Sequence, residues 1–467
     1  MYKAKIGVIG LKQHNFLGDK EANYRNALDK LKGIADRRGF DVWHYNELIV
    51  TEWDAQTAIK AAQAENLDFV ILCFASFASG LPAKNFADAF PFLGLWAPEE
   101  PEKEGILKHN SLCGVHMYTS MYKNYNKLQN IKSKWFFGTG SDFEERLTVT
   151  VQAISTINRL KTSRVGLIGG IADGFNDLYF DERNIKKVLG VNAVRNIEYS
   201  EMLDIARSYT QDDIKETVQL LTSGYREITP RVMEWIEQNA RVFMAYKKLV
   251  EDYKLDAAGI SCWAKLQKTL NLIACSTIAQ LNEYVVPAAC EGDLPGAVSM
   301  LALKYITGQV TTLLDFVEFD EKDESVQLWH CGPTAKCMAD KNGACLDCFY
   351  EVQEGVVERR SAMHSLIIAP GSATVMRFTG DLESMFISGG EIIPEKDGYF
   401  GSKGWMNKLT VGDVAVNAKD YTETVLTAGI EHHFALTAGA YTNTLMEMAY
   451  WLGMDVIKPI NYKPYAQ

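Results

Sequence analysis

The residues best suited to chemistry in this chain are two carboxylates two positions apart. They are Glu291 and Asp293, in the run Cys290-Glu291-Gly292-Asp293-Leu294-Pro295-Gly296-Ala297. The apolar stretch Tyr284 to Ala289 precedes them and ends in Pro287-Ala288-Ala289, so it reads as a short buried strand. Gly292 and Pro295-Gly296 supply turn chemistry. An acidic pair in a loop at a strand end is where α/β enzymes keep metal ligands and proton-transfer groups. The same acids also suit a solvated turn that caps the next helix, Val298 to Thr307, through its dipole. The downstream residues favour chemistry. Asp315 follows one helix later, His330 stands after the apolar run Val326 to Trp329, and Glu431-His432-His433-Phe434 comes near the end. Acid, acid, His and His are ligand types that a divalent metal such as Mn²⁺ accepts. A lone His330 after a strand also fits a core histidine. Adjacent His432 and His433 on one strand face opposite sides unless the backbone bends.

The elements that must position these residues come in three textures. Strand and helix alternate from the start: Lys5 to Gly10, Glu21 to Arg38, Asp41 to Tyr45, Thr57 to Glu65, Phe69 to Cys73. That alternation predicts a parallel, doubly wound sheet. The pattern restarts at Arg164 to Gly170, after a seam at Arg159 to Ser163. Beyond about residue 285 the strands shorten and glycines become frequent, as in a β barrel or sandwich. The expected fold class is therefore α/β: two doubly wound domains, residues 1–160 and 161–287, then a β-rich domain, residues 288–467, carrying the metal site. Gly7 and Gly10 lack the third glycine of the dinucleotide fingerprint, which excludes a nicotinamide or flavin reading. Pro91 to Pro101 is expected as a loop, with Trp96 in it as a substrate-stacking residue or a packing anchor.

Composition narrows the partners. The 467 residues are 47% apolar and 23% charged, with a formal net charge of −11 and no basic patch. Nucleic-acid and anionic-membrane binding are thereby disfavoured. The start does not read as a signal peptide, and no apolar run is long enough to span a bilayer. Nine cysteines at irregular spacing fit reduced thiols in a cytoplasmic protein. Cys345 and Cys348 form a C-x-x-C, with Cys331 and Cys337 before it, which raises a zinc or redox reading. The missing second C-x-x-C favours unligated thiols in a loop insertion.

Several of these stretches resemble a known family. Glu291-Gly-Asp293-Leu-Pro-Gly296-Ala-Val-Ser-Met300-Leu301, then Ile306-Thr-Gly308 and Asp315, resembles the metal-binding segment of the L-fucose isomerase family. Glu431-His432-His433-Phe-Ala-Leu-Thr resembles the C-terminal histidine segment shared by L-fucose and L-arabinose isomerases. Leu328-Trp-His330-Cys-Gly332, Asn110 to Gly114 and Cys262-Trp263 resemble stretches of fucose-isomerase-like proteins. The resemblance implies two α/β domains, a β-rich C-terminal domain and a homo-oligomer, usually a hexamer. It implies Mn²⁺-dependent aldose–ketose isomerisation of a small sugar through an enediolate. By position it makes Asp293 a metal-binding carboxylate and His433 a ligand. The two carboxylates and two histidines of the arabinose enzymes point to His330 and Asp315 as further or outer ligands.

Within that reading Glu291 and Asp293 are the proton-transfer candidates, and His432 is a contact for a substrate hydroxyl. One departure stands out. Many fucose-isomerase-like proteins show Cys-Trp-Pro-Glu where this chain has Cys262-Trp263-Ala264-Lys265, with no carboxylate until Glu283. Either Glu291 takes that glutamate's role or the chemistry has changed. Trp263 joins the substrate-binding candidates. Lys265 and Arg377 suit an anionic substituent such as the sulfonate of sulfoquinovose, with a surface lysine as the plain alternative. Sugar C2 epimerisation and sugar binding by a degenerate site are the rival functions.

Overall fold

The computed structural model describes residues 2–124, 131–263, 265–353 and 356–465. The chain forms two compact units, Met1–Asn158 and Arg159–Gln467. The first holds β1 (Lys5–Leu11), β2 (Asp41–His44), β3 (Phe69–Phe74), β4 (Phe92–Ala97) and β5 (Lys132–Phe137). All pair in parallel, in the order β2-β1-β3-β4-β5, with helices returning the chain between them. This is the doubly wound arrangement that the alternating pattern predicts. One expectation is corrected here. Phe92–Ala97 lies inside the stretch read as a loop, yet it is a strand between two neighbours. Its apolar run is almost wholly buried, and the acid and proline that suggested a loop begin only at Pro98.

The second unit begins with β6 (Arg164–Ile168), β7 (Asn192–Ile197), β8 (Glu227–Ile228), β9 (Ala257–Ile260) and β10 (Ala288–Ala289). Four of them form a parallel sheet in the order β10-β9-β6-β7. The strand expected from Tyr284 is shorter than its apolar run. Helix Cys275–Tyr284 covers the start of that run, and only Ala288 and Ala289 pair. Pro287 has no N–H for a ladder bond.

The β-rich part follows: β11 (Thr312–Asp320), β12 (Ser325–His330), β13 (Cys345–Gln353), β14 (Val356–Ile367), β15 (Gly371–Phe378), β16 (Ser384–Ile392), β17 (Ser402–Val411), β18 (Val414–Ala415), β19 (His433–Ala438) and β20 (Asp455–Val456). The sheet runs β16-β15-β19-β11-β12-β17, and β17 pairs back to β16. These six strands close a barrel, which removes their free edges. Its interior is apolar, with Leu314, Leu328, Val375, Phe386, Phe434 and Leu436.

Helix Leu294–Thr307 joins the two sheets. It is buried on every side from Leu294 to Leu303 and packs against β9, β15 and β19. A helix apolar all round belongs inside a protein. It therefore fixes the turn before it, Cys290–Asp293, between sheet and barrel. Among the described residues, no helix is long and apolar enough to cross a membrane.

Candidate active site

The acid pair sits at the entry to that buried helix. Glu291 has φ +61°, a left-handed conformation that a non-glycine residue adopts at a cost. Gly292 follows at φ +78°, and a Cβ there would lie 2.3 Å from the carbonyl of Gly170. Only glycine fits that contact. The Glu291 carbonyl accepts from Ala172 N–H at 2.9 Å. The loop after β6 and the acid pair are thus one packed turn, and it aims the Glu291 side chain toward the barrel strands.

Three barrel strands bring the other groups. Asp315 on β11 lies directly across the ladder from His433 on β19 and from Trp329 on β12, so His330 is one residue further. His433 Nε2 is 3.2 Å from Glu291 Oε2 and 3.5 Å from Asp315 Oδ1. The His330 and His433 rings stack with centroids 5.4 Å apart. Asp315 Oδ1, His330 Nε2 and His433 Nε2 are buried and make no hydrogen bond. One ligand atom from each of Asp315, His330 and His433 lies within 4.8 Å of the others. Buried polar atoms left unpaired at one point are the signature of a missing partner, and two imidazoles with one carboxylate suit a divalent first-row cation.

Carboxylates hold both adjacent histidines from behind. His433 Nδ1 donates to Asp293 Oδ2 at 3.0 Å. His432 Nδ1 donates to Asp177 Oδ2 at 2.6 Å, and its Nε2 reaches Glu291 Oε2 at 3.3 Å. A carboxylate on Nδ1 fixes the tautomer and aims Nε2. Both rings reach Glu291 because His432 precedes β19, in a bend, so strand alternation does not separate them. Asp177 was not singled out in the sequence. It arrives from the loop after β6, 255 positions away from His432.

Asp293 is placed differently from its expected role. Its Oδ1 accepts from Gly296 N–H at 2.8 Å, capping the buried helix, and from Arg377 Nη2 at 3.2 Å. Its Oδ2 takes Arg377 Nη1 and His433 Nδ1. Asp293 and Arg377 are both 0% exposed. This corrects two expectations. Asp293 has no lone-pair direction left for a metal or a substrate proton, and it orients His433 instead. Arg377 meets no substrate: its fork is taken by Asp293, and its Nε lies 3.4 Å from Glu431 Oε2.

Charge in this cluster is shared between acid and imidazole. Burial works to raise the Glu291 carboxyl, but the His432 and His433 imidazoles set against it hold it down to about 2. Burial likewise opposes protonation of His433, but Asp293 and Glu291 lift it to about 9. Burial pushes the Asp315 carboxyl up, against the pull of His330 and His433.

The remaining candidates lie apart from the cluster. Trp96 is a packing anchor, which corrects the stacking reading. It is 0% exposed in β4, stacks on Phe143 with centroids 4.8 Å apart, and donates to Gly138 O at 2.8 Å. Trp263 stands in a turn, 40% exposed. Lys265 donates its Nζ to the Gly169 carbonyl, on the loop that packs over Glu291 and Gly292. None of the nine cysteines is in a disulfide. Among the described residues, no candidate metal group includes Cys337, Cys345 or Cys348. Cys345 and Cys348 stand three apart on β13, so they face opposite sides.

No protein-family model matches the chain. Three curated relatives are described as sulfoquinovose isomerases. That of Priestia megaterium (strain ATCC 12872 / QMB1551) is 23% identical over 420 residues, 88% of this chain and 89% of that protein. That of Alkalicoccus urumqiensis is 23% identical over 377 residues, 78% of this chain and 80% of its own. That of Clostridium sp. (strain MSTE9) is 26% identical over 251 residues, 52% and 55%. A solved periplasmic sugar-binding protein from Legionella pneumophila aligns at 10% identity, over 66% of this chain and 97% of its own, with a TM-score of 0.18.

Proposed function

We propose that this chain is a divalent-metal-dependent aldose–ketose isomerase whose substrate is a sulfonated hexose of the sulfoquinovose type. Its relatives over most of its length make it a sugar isomerase; the metal and the particular sugar are the proposal. The observation that carries it is the convergence of three unpaired buried atoms, Asp315 Oδ1, His330 Nε2 and His433 Nε2, opposite the Glu291 carboxylate. Asp315, His330 and His433 would hold the cation, and Mn²⁺ fits that donor set. When bound, such an ion polarises the carbonyl and hydroxyl oxygens of an α-hydroxy aldehyde and stabilises an enediolate.

The chain's own residues do the rest. Glu291, kept ionised by His432 and His433, takes the proton from C2 and returns it to C1. His432, 37% exposed at its side chain and steered by Asp177, faces the substrate space and handles a hydroxyl proton. Asp293 and Arg377 hold His433 in place and exclude water by their complete burial. Metal capture competes with protons, because His433 ligates only as the neutral ring. The sulfonate reading rests on the relatives' printed activity together with Lys265, a cation beside the loop that covers Glu291.

Metal-stripped protein should convert no aldose. Adding Mn²⁺ should produce ketose from sulfoquinovose at a higher kcat/KM than from L-fucose, L-arabinose or glucose. Ketose formation indifferent to Mn²⁺ and chelator sinks the metal reading. Equal kcat/KM for sulfonated and plain sugars sinks the substrate class. Appearance of the C2 epimer instead of ketose makes the enzyme an epimerase.

A further inference from the structure

Four cysteines that the isomerisation does not use lie in a row against the site. Cys262 Sγ is 2.8 Å from Cys290 Sγ, and Cys275 Sγ is 2.9 Å from Cys331 Sγ. Cys290 also neighbours Cys331 on its other side. The four come from separate segments: the turn after β9, the start of helix Cys275–Tyr284, the turn after β10, and the residue after β12. The arrangement is paired rather than caged. A thiolate zinc site draws its sulfurs to one point at about 2.3 Å from the metal. Here no three of these sulfurs form a mutual ligand group; only Cys290 enters one, with Glu291 and His330. A disulfide bond is about 2.05 Å long, so closing either pair requires less than about 1 Å of approach.

The pairs differ in access. Cys262 and Cys290 are 7% and 1% exposed, and Cys275 is 2% exposed. Cys331 alone of the four is only partly buried. It also touches the site. His330 Nδ1 lies 3.1 Å from Cys331 Sγ. The same nitrogen accepts the Cys331 backbone N–H at 2.8 Å, so Cys331 holds the His330 ring through both its backbone and its sulfur. Outer partners of this kind orient a ligating histidine.

We propose that Cys331 is a peroxide-modified thiol with Cys275 as its resolving partner, and that the resulting disulfide disables the neighbouring site. The Cys331 thiol gives up its proton, its sulfur attacks hydrogen peroxide, the O–O bond breaks, and a sulfenic acid forms as the departing hydroxide takes up that proton and leaves as water. Cys275 sulfur then attacks Cys331 sulfur. The S–S bond forms, the S–O bond breaks, and the departing hydroxide takes the Cys275 proton as water. Two thiols lose two electrons and one peroxide gains them. The bond draws Cys331 toward Cys275 and away from the His330 ring. The effect on sugar turnover rests on the function proposed above; the disulfide itself does not.

The test treats the full-length protein with hydrogen peroxide, alkylates remaining thiols, and maps peptides by mass spectrometry, with Mn²⁺ affinity and turnover read in parallel. The expected first product is the Cys275–Cys331 crosslink. Mn²⁺ affinity should weaken roughly tenfold or more, and dithiothreitol should restore both. In Cys275→Ala the crosslink is absent, Cys331 advances to the sulfinic acid, and the loss survives dithiothreitol. An unmodified Cys331, a Cys290–Cys331 crosslink in place of Cys275–Cys331, or a crosslink that leaves Mn²⁺ affinity unchanged overturns the proposal. If the untreated protein turns over no sugar, the crosslink and its reversal still report, so the two failures are distinguishable.

Discussion

Glu291→Gln is expected to lower kcat by roughly 10²–10⁴-fold, the range for removing a positioned general base. Glutamine keeps the shape and an oxygen for the histidines but cannot take a proton. In the wild type Oε2 lies 3.3 Å from His432 Nε2 and 3.2 Å from His433 Nε2. Those contacts keep the carboxylate ionised, which is the form that accepts a proton. KM should change far less than kcat, because the lost step belongs to the transition state. Mn²⁺ should still bind through Asp315, His330 and His433. Turnover within a few-fold of wild type would move the base elsewhere, and the missing carboxylate near Lys265 would then need another substitute.

Arg377→Met is expected to destabilise the second unit by about 3–5 kcal/mol, the cost of leaving a buried charge without its partner. Asp293 and Arg377 are fully buried, and the pair is bidentate, with Arg377 Nε directed to Glu431 as well. Burial acts to raise the Asp293 carboxyl, but Arg377 and His433 hold it well below the usual carboxylate range. The folded form therefore binds this proton later than the unfolded chain does. The wild type's stability from this group is present above the unfolded carboxyl value and lost as pH falls below it. Removing the guanidinium should reverse the trend, so that the variant is relatively better off in acid. Arg377→Met combined with Asp293→Asn should recover much of the loss, since no charge is stranded. Denaturant melts of the three forms at neutral and acid pH decide this. A single variant as stable as wild type would mean that the pair does not support His433.

The residues that converge at the candidate site are legible because each stands at the edge of an apolar segment, and the alternating segments announce the parallel sheets. Which acid does what was not legible. Asp293 and Glu291 have the same charge and nearly the same sequence context, and only the tertiary approach of Arg377 from β15 separates them. Asp177 is a polar residue in a loop with no periodic signal, and its meaning appears when the β6 loop lands beside His432. The thiol row has the same character: four segments each carry one cysteine, and close packing of sheet against barrel brings them together. Phe92–Ala97 shows the opposite failure, where flanking proline and acid outweighed a buried apolar run. Barrel closure by β16 and β17 depends on pairing register, which composition does not encode.

The central claim is that Asp315, His330 and His433 hold a divalent cation facing Glu291. The most direct measurement is a crystal structure of Mn²⁺-soaked protein with anomalous data at the manganese edge. The expected result is one strong peak bonded to Asp315, His330 and His433, with Asp293 still paired to Arg377. A peak bonded to Asp293, or none at this cluster while Mn²⁺ binds elsewhere, would contradict the account.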